Sequence, residues 1–305
     1  MRICFLIVPL ILLLAACGGG GDSEPNIMIE PTFYTAFGAP ELVQIAGYTG
    51  DVMEPFISRD GNYLFFNDFG SNKDIHYASY DSTTDSFTYL GPISALNTTA
   101  VEGVPTLDDS GRFYYVSTYN YPPNNANILD TIYVGDFDPA TQALVNNLAL
   151  VPNLAAGTFG HLNFDVEVSP DGSTLYTVDG VFSGNTYPDS SNFVYAVDSG
   201  SGFELQTDSA AIFANINTPD LEYAACISRD GLELFFTRLT LPDLATGMYR
   251  ATRPNPIAAF DVPLRIAGLD GFYEAPALSA DEKQLYFHRK NQTSGRFELY
   301  RLTRP

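Results

Sequence analysis

Short apolar runs alternate with polar turns along most of this chain, and one arrangement of them recurs. In "EPFISRDGNYLFFN" (residues 54–67) an apolar run leads into an Asp-Gly pair and an aromatic run follows it; "DVEVSPDGSTLYTVD" (165–179) and "AACISRDGLELFFTR" (224–238) have the same layout. Short runs of β-branched and aromatic residues around such a pair predict a hairpin, because Asp can bond the turn's own backbone and Gly accepts the positive φ the turn needs. A calcium loop needs more oxygen ligands than "SRDG" offers. The pair therefore marks a fold.

Aligned on that turn, the chain holds five units, centred on Asp60, Ser110, Asp171, Asp230 and Asp281, at intervals of 50, 61, 59 and 51 residues. In each, a strand such as "PFIS", "VPTL" or "PALS" enters the turn and an aromatic strand such as "YLFFN" or "FYYVS" leaves it. A third strand follows, such as "DIHYAS" or "FELYRLTR", and a weaker fourth precedes the next unit. A period of this size built only from short strands predicts an all-β, five-bladed β-propeller of four-stranded antiparallel blades. The last unit stops after its third strand, whereas "ELVQIAGYTGDVMEPFIS" before the first parallels "PLRIAGLDGFYEAPALS" before the last. Residues 41–47 are thus expected to complete the last blade and leave no long open edge.

The first residues do not share this pattern. Arg2 is followed by an apolar stretch over 3–14 and then by small residues, too short to span a bilayer and of the kind found in a signal-peptide core. "LLAAC" resembles the lipobox of bacterial lipoproteins, which implies cleavage after residue 16 and lipidation of the Cys17 thiol; an unlipidated secretory signal or a short membrane anchor is the alternative. Gly18 after the cysteine is what that family's pattern associates with the outer membrane, so the resemblance implies a lipid-anchored protein of the bacterial cell envelope. Residues 17–31 read as a flexible Gly-rich, then acidic, tether, and residues 32–305 as the propeller. Cys4, Cys17 and Cys226 provide no disulfide framework, and Cys226 reads as a small buried hydrophobe.

Charge narrows the partners. Fifteen Lys and Arg stand against 36 Asp and Glu, a net charge of −21. Such a body does not bind nucleic acid phosphates and is repelled by anionic lipid surfaces, which leaves an envelope protein or a saccharide as the expected partner of a monomer.

The units resemble the TolB-type β-propeller repeat, in which a Ser-Pro-Asp-Gly turn separates "P-x-x-S" and "L-x-F" strands and an "Asp-Ile-Tyr" strand comes later. The residues that carry the likeness are "SPDG" at 169–172, "SRDG" at 58–61 and 228–231, and "DIHYA" at 74–78, and it covers residues 41–305. Units two and five depart from the turn consensus.

On the face opposite the turns each unit offers a carboxylate near the channel: Glu54, Glu102, Asp165, Glu222 and Glu274. Converging carboxylates repel, and a cation relieves them; calcium is the candidate, at Glu54, Asp165, Glu222 and Glu274. Carboxylates at strand starts also cap backbone N–H groups or pair with a neighbouring Arg, and both readings stand. His161, four residues before Asp165, could reach the same mouth, whereas His76 and His288 read as packing residues. Two long Tyr-rich loops, 118–130 and 179–192, have a composition suited to stacking on sugars or gripping a peptide. The G-x-S-x-G, H-E-x-x-H, C-x-x-C and P-loop patterns are absent, and no catalytic residue is assigned. The expected function is a binding scaffold acting through an acidic channel mouth; the alternative is a glycosidase-like enzyme using two of those carboxylates.

Overall fold

The computed structural model describes residues 32–119, 130–139, 141, 143–144, 149–155, 158, 160–184 and 187–305. The leader, Cys17 and the tether lie outside the described residues, as do most of the loop at 118–130 and residues 185–186 of the loop at 179–192. Among the described residues the protein is all-β, with one short helix, Ser209–Ile212.

The repeat units appear as successive antiparallel strands. Unit one runs Met53–Ile57, Tyr63–Asn67, Ile75–Asp81 and Ser86–Pro92; unit two begins Glu102–Leu107, Arg112–Ser117 and Ile132–Asp138. Unit three is Val166–Val168, Thr174–Val181, Ser190–Asp198 and Phe203–Leu205. Unit four is Leu221–Ile227, Glu233–Thr240, Ala245–Thr252 and Leu264–Ile266, and unit five Tyr273–Leu278, Gln284–Lys290 and Phe297–Thr303. Of residues 41–47, Glu41–Leu42 pairs antiparallel with Phe297–Thr303, as expected, whereas Ile45–Ala46 crosses to the outer strand of unit one. A further strand, Phe33–Tyr34, lies parallel on Leu264–Ile266.

The second strand of each unit is apolar at consecutive positions because both its faces are buried, and the period of two sends neighbours to opposite sides. In "YLFFN" Leu64 and Phe66 pack towards unit five while Phe65 packs towards unit two. In "LFFTR" Leu234 and Phe236 face unit three and Phe235 faces unit five. The core is accordingly five clusters, one between each unit and the next and one between unit five and unit one. Packing and isolated hydrogen bonds join the units, but no continuous strand ladder closes the sheets on one another.

The turns behave as their sequence predicts. Gly61 sits at φ +77°, the Ser58 hydroxyl donates to Asp60 at 2.6 Å, and the Asn62 N–H donates to the same carboxylate at 3.0 Å. Unit two swaps the two roles: Asp108 stands in the serine position and accepts from Ser110 and from the Arg112 N–H.

At their other ends the inner strands are less regular. Four of them carry a bulge whose first residue is left-handed although it is not glycine: Glu54 (φ +49°), Val104 (+55°), Ala224 (+54°) and Ala275 (+58°). These positions are equivalent, four residues before the serine or its substitute in each turn. A non-glycine residue there costs about 1 kcal/mol, and bulges of this kind re-aim side chains beside sites.

Candidate ligand-binding site at the mouth

Each bulge frees a backbone N–H, and a side chain from the preceding unit captures it. Glu54 N donates to His288 Nδ1 at 3.1 Å, Ala275 N to Thr237 Oγ1 at 3.0 Å, and Ala224 N to Asp165 Oδ2 at 2.7 Å. Val104 N lies 3.3 Å from both Asn67 Oδ1 and Glu54 Oε2. Gly103 beside it has no side chain for a reason: a Cβ there would meet the Glu54 carboxylate at 3.0 Å. The unit seams thus assemble a polar floor from short-range strand geometry and long-range partners.

Over that floor lies a cavity of about 80 Å³, counted as space open to water centres, to which all five units contribute. Its polar lining is Glu54, Lys73, Thr118, Asp165, Tyr223, Glu274 and His288, set among Val101, Val104, Val116 and Phe164. Lys73 reaches Glu54 at 3.4 Å. Because Glu54 N–H donates to Nδ1 of His288, that ring is the Nε2–H tautomer and donates to Glu274 Oε2 at 3.2 Å. The Tyr223 hydroxyl donates to the other Glu274 oxygen.

Burial pushes the Asp165 carboxyl well above the usual carboxylate range, the neighbouring Glu54 adds to this, and the Ala224 N–H offsets only part of it. Burial and Glu274 likewise raise the Tyr223 phenol, so it stays a donor.

The sequence-predicted carboxylates divide. Glu54, Asp165 and Glu274 line the cavity; Glu102 and Glu222 do not. Both of the latter are fully buried in matching staples: Thr98 and Thr218 each donate N–H and hydroxyl to the carboxylate four residues on. Ser117 completes the first at 2.8 Å and Arg238 the second at 2.6 Å. Their expected place at the mouth is therefore corrected: they lie six residues before the turn serine or its substitute, where the strand directs them into the seam. The paired motif "NTTAVE" and "NTPDLE" was the available signal. His161 also misses the cavity and pairs with Asp179 at 2.7 Å, both partly exposed. Among the described residues no group of three or more His, Cys, Asp or Glu side chains is placed to hold a metal ion, so the calcium expectation finds no cage there.

Sequence reasoning missed Tyr223 and read His288 as a packing residue. For His288 a signal existed: Asn67, Ser117, Thr237 and His288 occupy one register of the aromatic strand, a buried polar residue in four of the five units.

The opposite end of the inner strands is closed. Arg59, from the first "SRDG", inserts its guanidinium to meet Glu167 Oε1 at 2.8 Å and the carbonyls of Val168 and Leu107 at 2.7 and 3.0 Å. Glu167 also accepts from Thr106 at 2.6 Å. Arg229, from the second "SRDG", donates from Nη1 to both Asp109 oxygens and from Nη2 to the Arg59 carbonyl at 3.0 Å. Cys226 is buried between the two ends, as expected, its sulfur accepting from Leu278 N–H.

No family model matches the chain, and neither does the sequence of any curated protein. Solved structures do resemble it. A glycoside hydrolase superposes with a TM-score of 0.57 at 12% identity, over 90% of this chain and 92% of that one. A thermostable family-43 glycoside hydrolase gives 0.50 at 12% identity, over 86% and 91%. TolB from Acinetobacter baumannii gives 0.40 at 15% identity, over 82% of this chain and 52% of TolB. At these identities the likeness speaks for the fold alone: an all-β structure of several sheets with propeller-like neighbours.

Proposed function

We propose that this chain is a five-bladed, TolB-like β-propeller, closed by its N-terminal strand and held to the envelope membrane through Cys17, that works as a binding module. Its recognition site is the mouth cavity. Closure draws support from the Glu41–Leu42 pairing and from the core cluster between units five and one. Anchoring rests on the lipobox alone.

The observation that carries the binding reading is the cavity itself, where strained bulges from four units and side chains from all five meet. Strain of this kind persists only where the surroundings impose it, and it gathers at sites. The mouth carboxylates are each already hydrogen-bonded to protein groups, which suits a fixed recognition surface. A Glu54→Gln, Asp165→Asn, Glu274→Gln triple variant is expected to fold and to lose the partners and glycans that wild type retains in affinity capture and on a glycan array. Recovery of the same set by both proteins contradicts the assignment.

One observation favours an enzyme instead. Asp165, whose carboxyl burial pushes well above the usual range, beside Glu54 is the kind of acid-and-base pairing that glycosidases use. Turnover of an aryl-glycoside panel by wild type, abolished in Glu54→Gln, supports that reading; no turnover on any member leaves binding in place.

A further inference from the structure

We propose that the mouth cavity takes a primary alkylammonium group, and that Lys73 occupies its place in the empty protein. The inference rests on the mouth being a binding site and names its ligand class. Three observations converge on it.

The first is the balance of donors and acceptors. Most donors that line the cavity are engaged: Tyr223 O–H and His288 Nε2–H both go to Glu274, and the freed N–H groups of the bulges go to side chains, which leaves the Thr118 hydroxyl and the Lys73 ammonium. A carboxylate has about four acceptor positions, so Glu54 and Glu274 keep capacity after these bonds are made. A group with donors and no acceptor fits such a lining; an ammonium has three donors and none to accept. A sugar hydroxyl or a carboxylate brings acceptors for which only Thr118 and Lys73 have donors to give.

Size is the second. A water needs roughly 10–15 Å³ of such space, so a cavity of about 80 Å³ holds about five to eight atoms of that size. That is an ammonium with a short alkyl stem, for which Val101, Val104, Val116 and Phe164 are the apolar wall. A whole pyranose with its hydroxyls is larger.

Lys73 is the third. Its ammonium already lies in the cavity against Glu54 Oε1, at 3.4 Å, the long end of a hydrogen bond. The residue is itself left-handed, at φ +48°, and sits in the loop between the second and third strands of unit one. A cation held loosely by one carboxylate marks where a better-seated cation goes, and its own loop supplies a way out. The chain's net charge of −21 raises the local concentration of cations.

The ammonium could belong to a free amine or to a lysine side chain of a partner, and calorimetry separates them. Wild type, Lys73→Met and Glu54→Gln are titrated at pH 7.5 with n-butylamine, with Nα-acetyl-lysine methylamide, and with n-butanol and arabinose as neutral probes. Lys73→Met keeps the stem and removes the charge, so amine affinity should rise about tenfold or more over wild type; Glu54→Gln should lose it. Preference for the lysine derivative assigns the site to protein partners and preference for butylamine to free amines, and either supports the inference. If a neutral probe binds and neither amine does, the ammonium assignment is overturned while the binding site stands. If no probe binds wild type or Lys73→Met, both are overturned. The Lys73→Met result is a gain, so loss of fold cannot imitate it.

Discussion

At the turn end of the inner strands Arg59 and Glu167 meet at 2.8 Å, with side chains 11% and 3% exposed, and four further hydrogen bonds hold them. At the mouth end Lys73 and Glu54 meet at 3.4 Å beside open space, next to the Asp165 carboxyl that burial pushes well above its usual range. Both ends bring opposite charges together along one axis. The difference lies in what surrounds them: backbone carbonyls and a hydroxyl saturate the first pair, whereas apolar walls and surplus acceptors surround the second. A saturated pair has one arrangement and acts as a plug; an unsaturated one can exchange its cation.

Removing a plug residue should have the largest effect. Glu167→Ala leaves the Arg59 guanidinium buried without its anion and is expected to cost about 3–5 kcal/mol, a fall of roughly 10 °C in thermal unfolding followed by circular dichroism. A change under about 2 °C would show that the two ends are equivalent.

Next comes a contrast between acidic residues that look alike in sequence. Glu222→Ala strips Arg238 and Thr218 of a fully buried acceptor, at an expected cost of about 2–4 kcal/mol in urea unfolding. Glu54→Gln keeps an amide oxygen for Val104 N–H and should cost under about 1 kcal/mol while removing ligand binding.

Asp165→Asn should move stability the other way. Its folded-state pKa is raised, so at pH below the unfolded value of about 3.9 the carboxyl is protonated in both states and the substitution is neutral. As pH rises, ionisation favours the unfolded chain of wild type alone, and the variant becomes the more stable, by at least about 2 °C at pH 7.5.

The turns give a small effect of the opposite sign. Burial raises the Asp60 carboxyl, but hydrogen bonds from Ser58 and Asn62 outweigh it and hold the carboxyl below its usual range. Asp60→Ala should therefore cost about 0.5–1.5 kcal/mol at neutral pH, a difference that fades as pH falls below about 4.

Much of this fold is legible in sequence because its signals are local. A Ser-x-Asp-Gly turn makes its bonds within five residues, and an aromatic strand buried on both faces announces itself in "YLFFN". The mouth is less legible because it is built across units. Glu54 N–H and His288 are 234 residues apart, and no residue type at the bulge predicts left-handed backbone, since Glu, Val and two Ala occupy it. Glu102 and Glu222 were grouped with the mouth by residue type and approximate register. Two residues of offset, together with a threonine four positions earlier, send them into the seam instead.

The proposal stands or falls on whether the mouth, and not the plugged end, receives a cationic ligand in place of Lys73. A crystal structure of Lys73→Met soaked with n-butylamine reads this out atom by atom. Expected is density for the amine in the mouth cavity, its nitrogen within about 3 Å of a Glu54 carboxylate oxygen and its stem against Phe164 and Val104. Density for water alone in that cavity, or for the amine bound elsewhere, would contradict it.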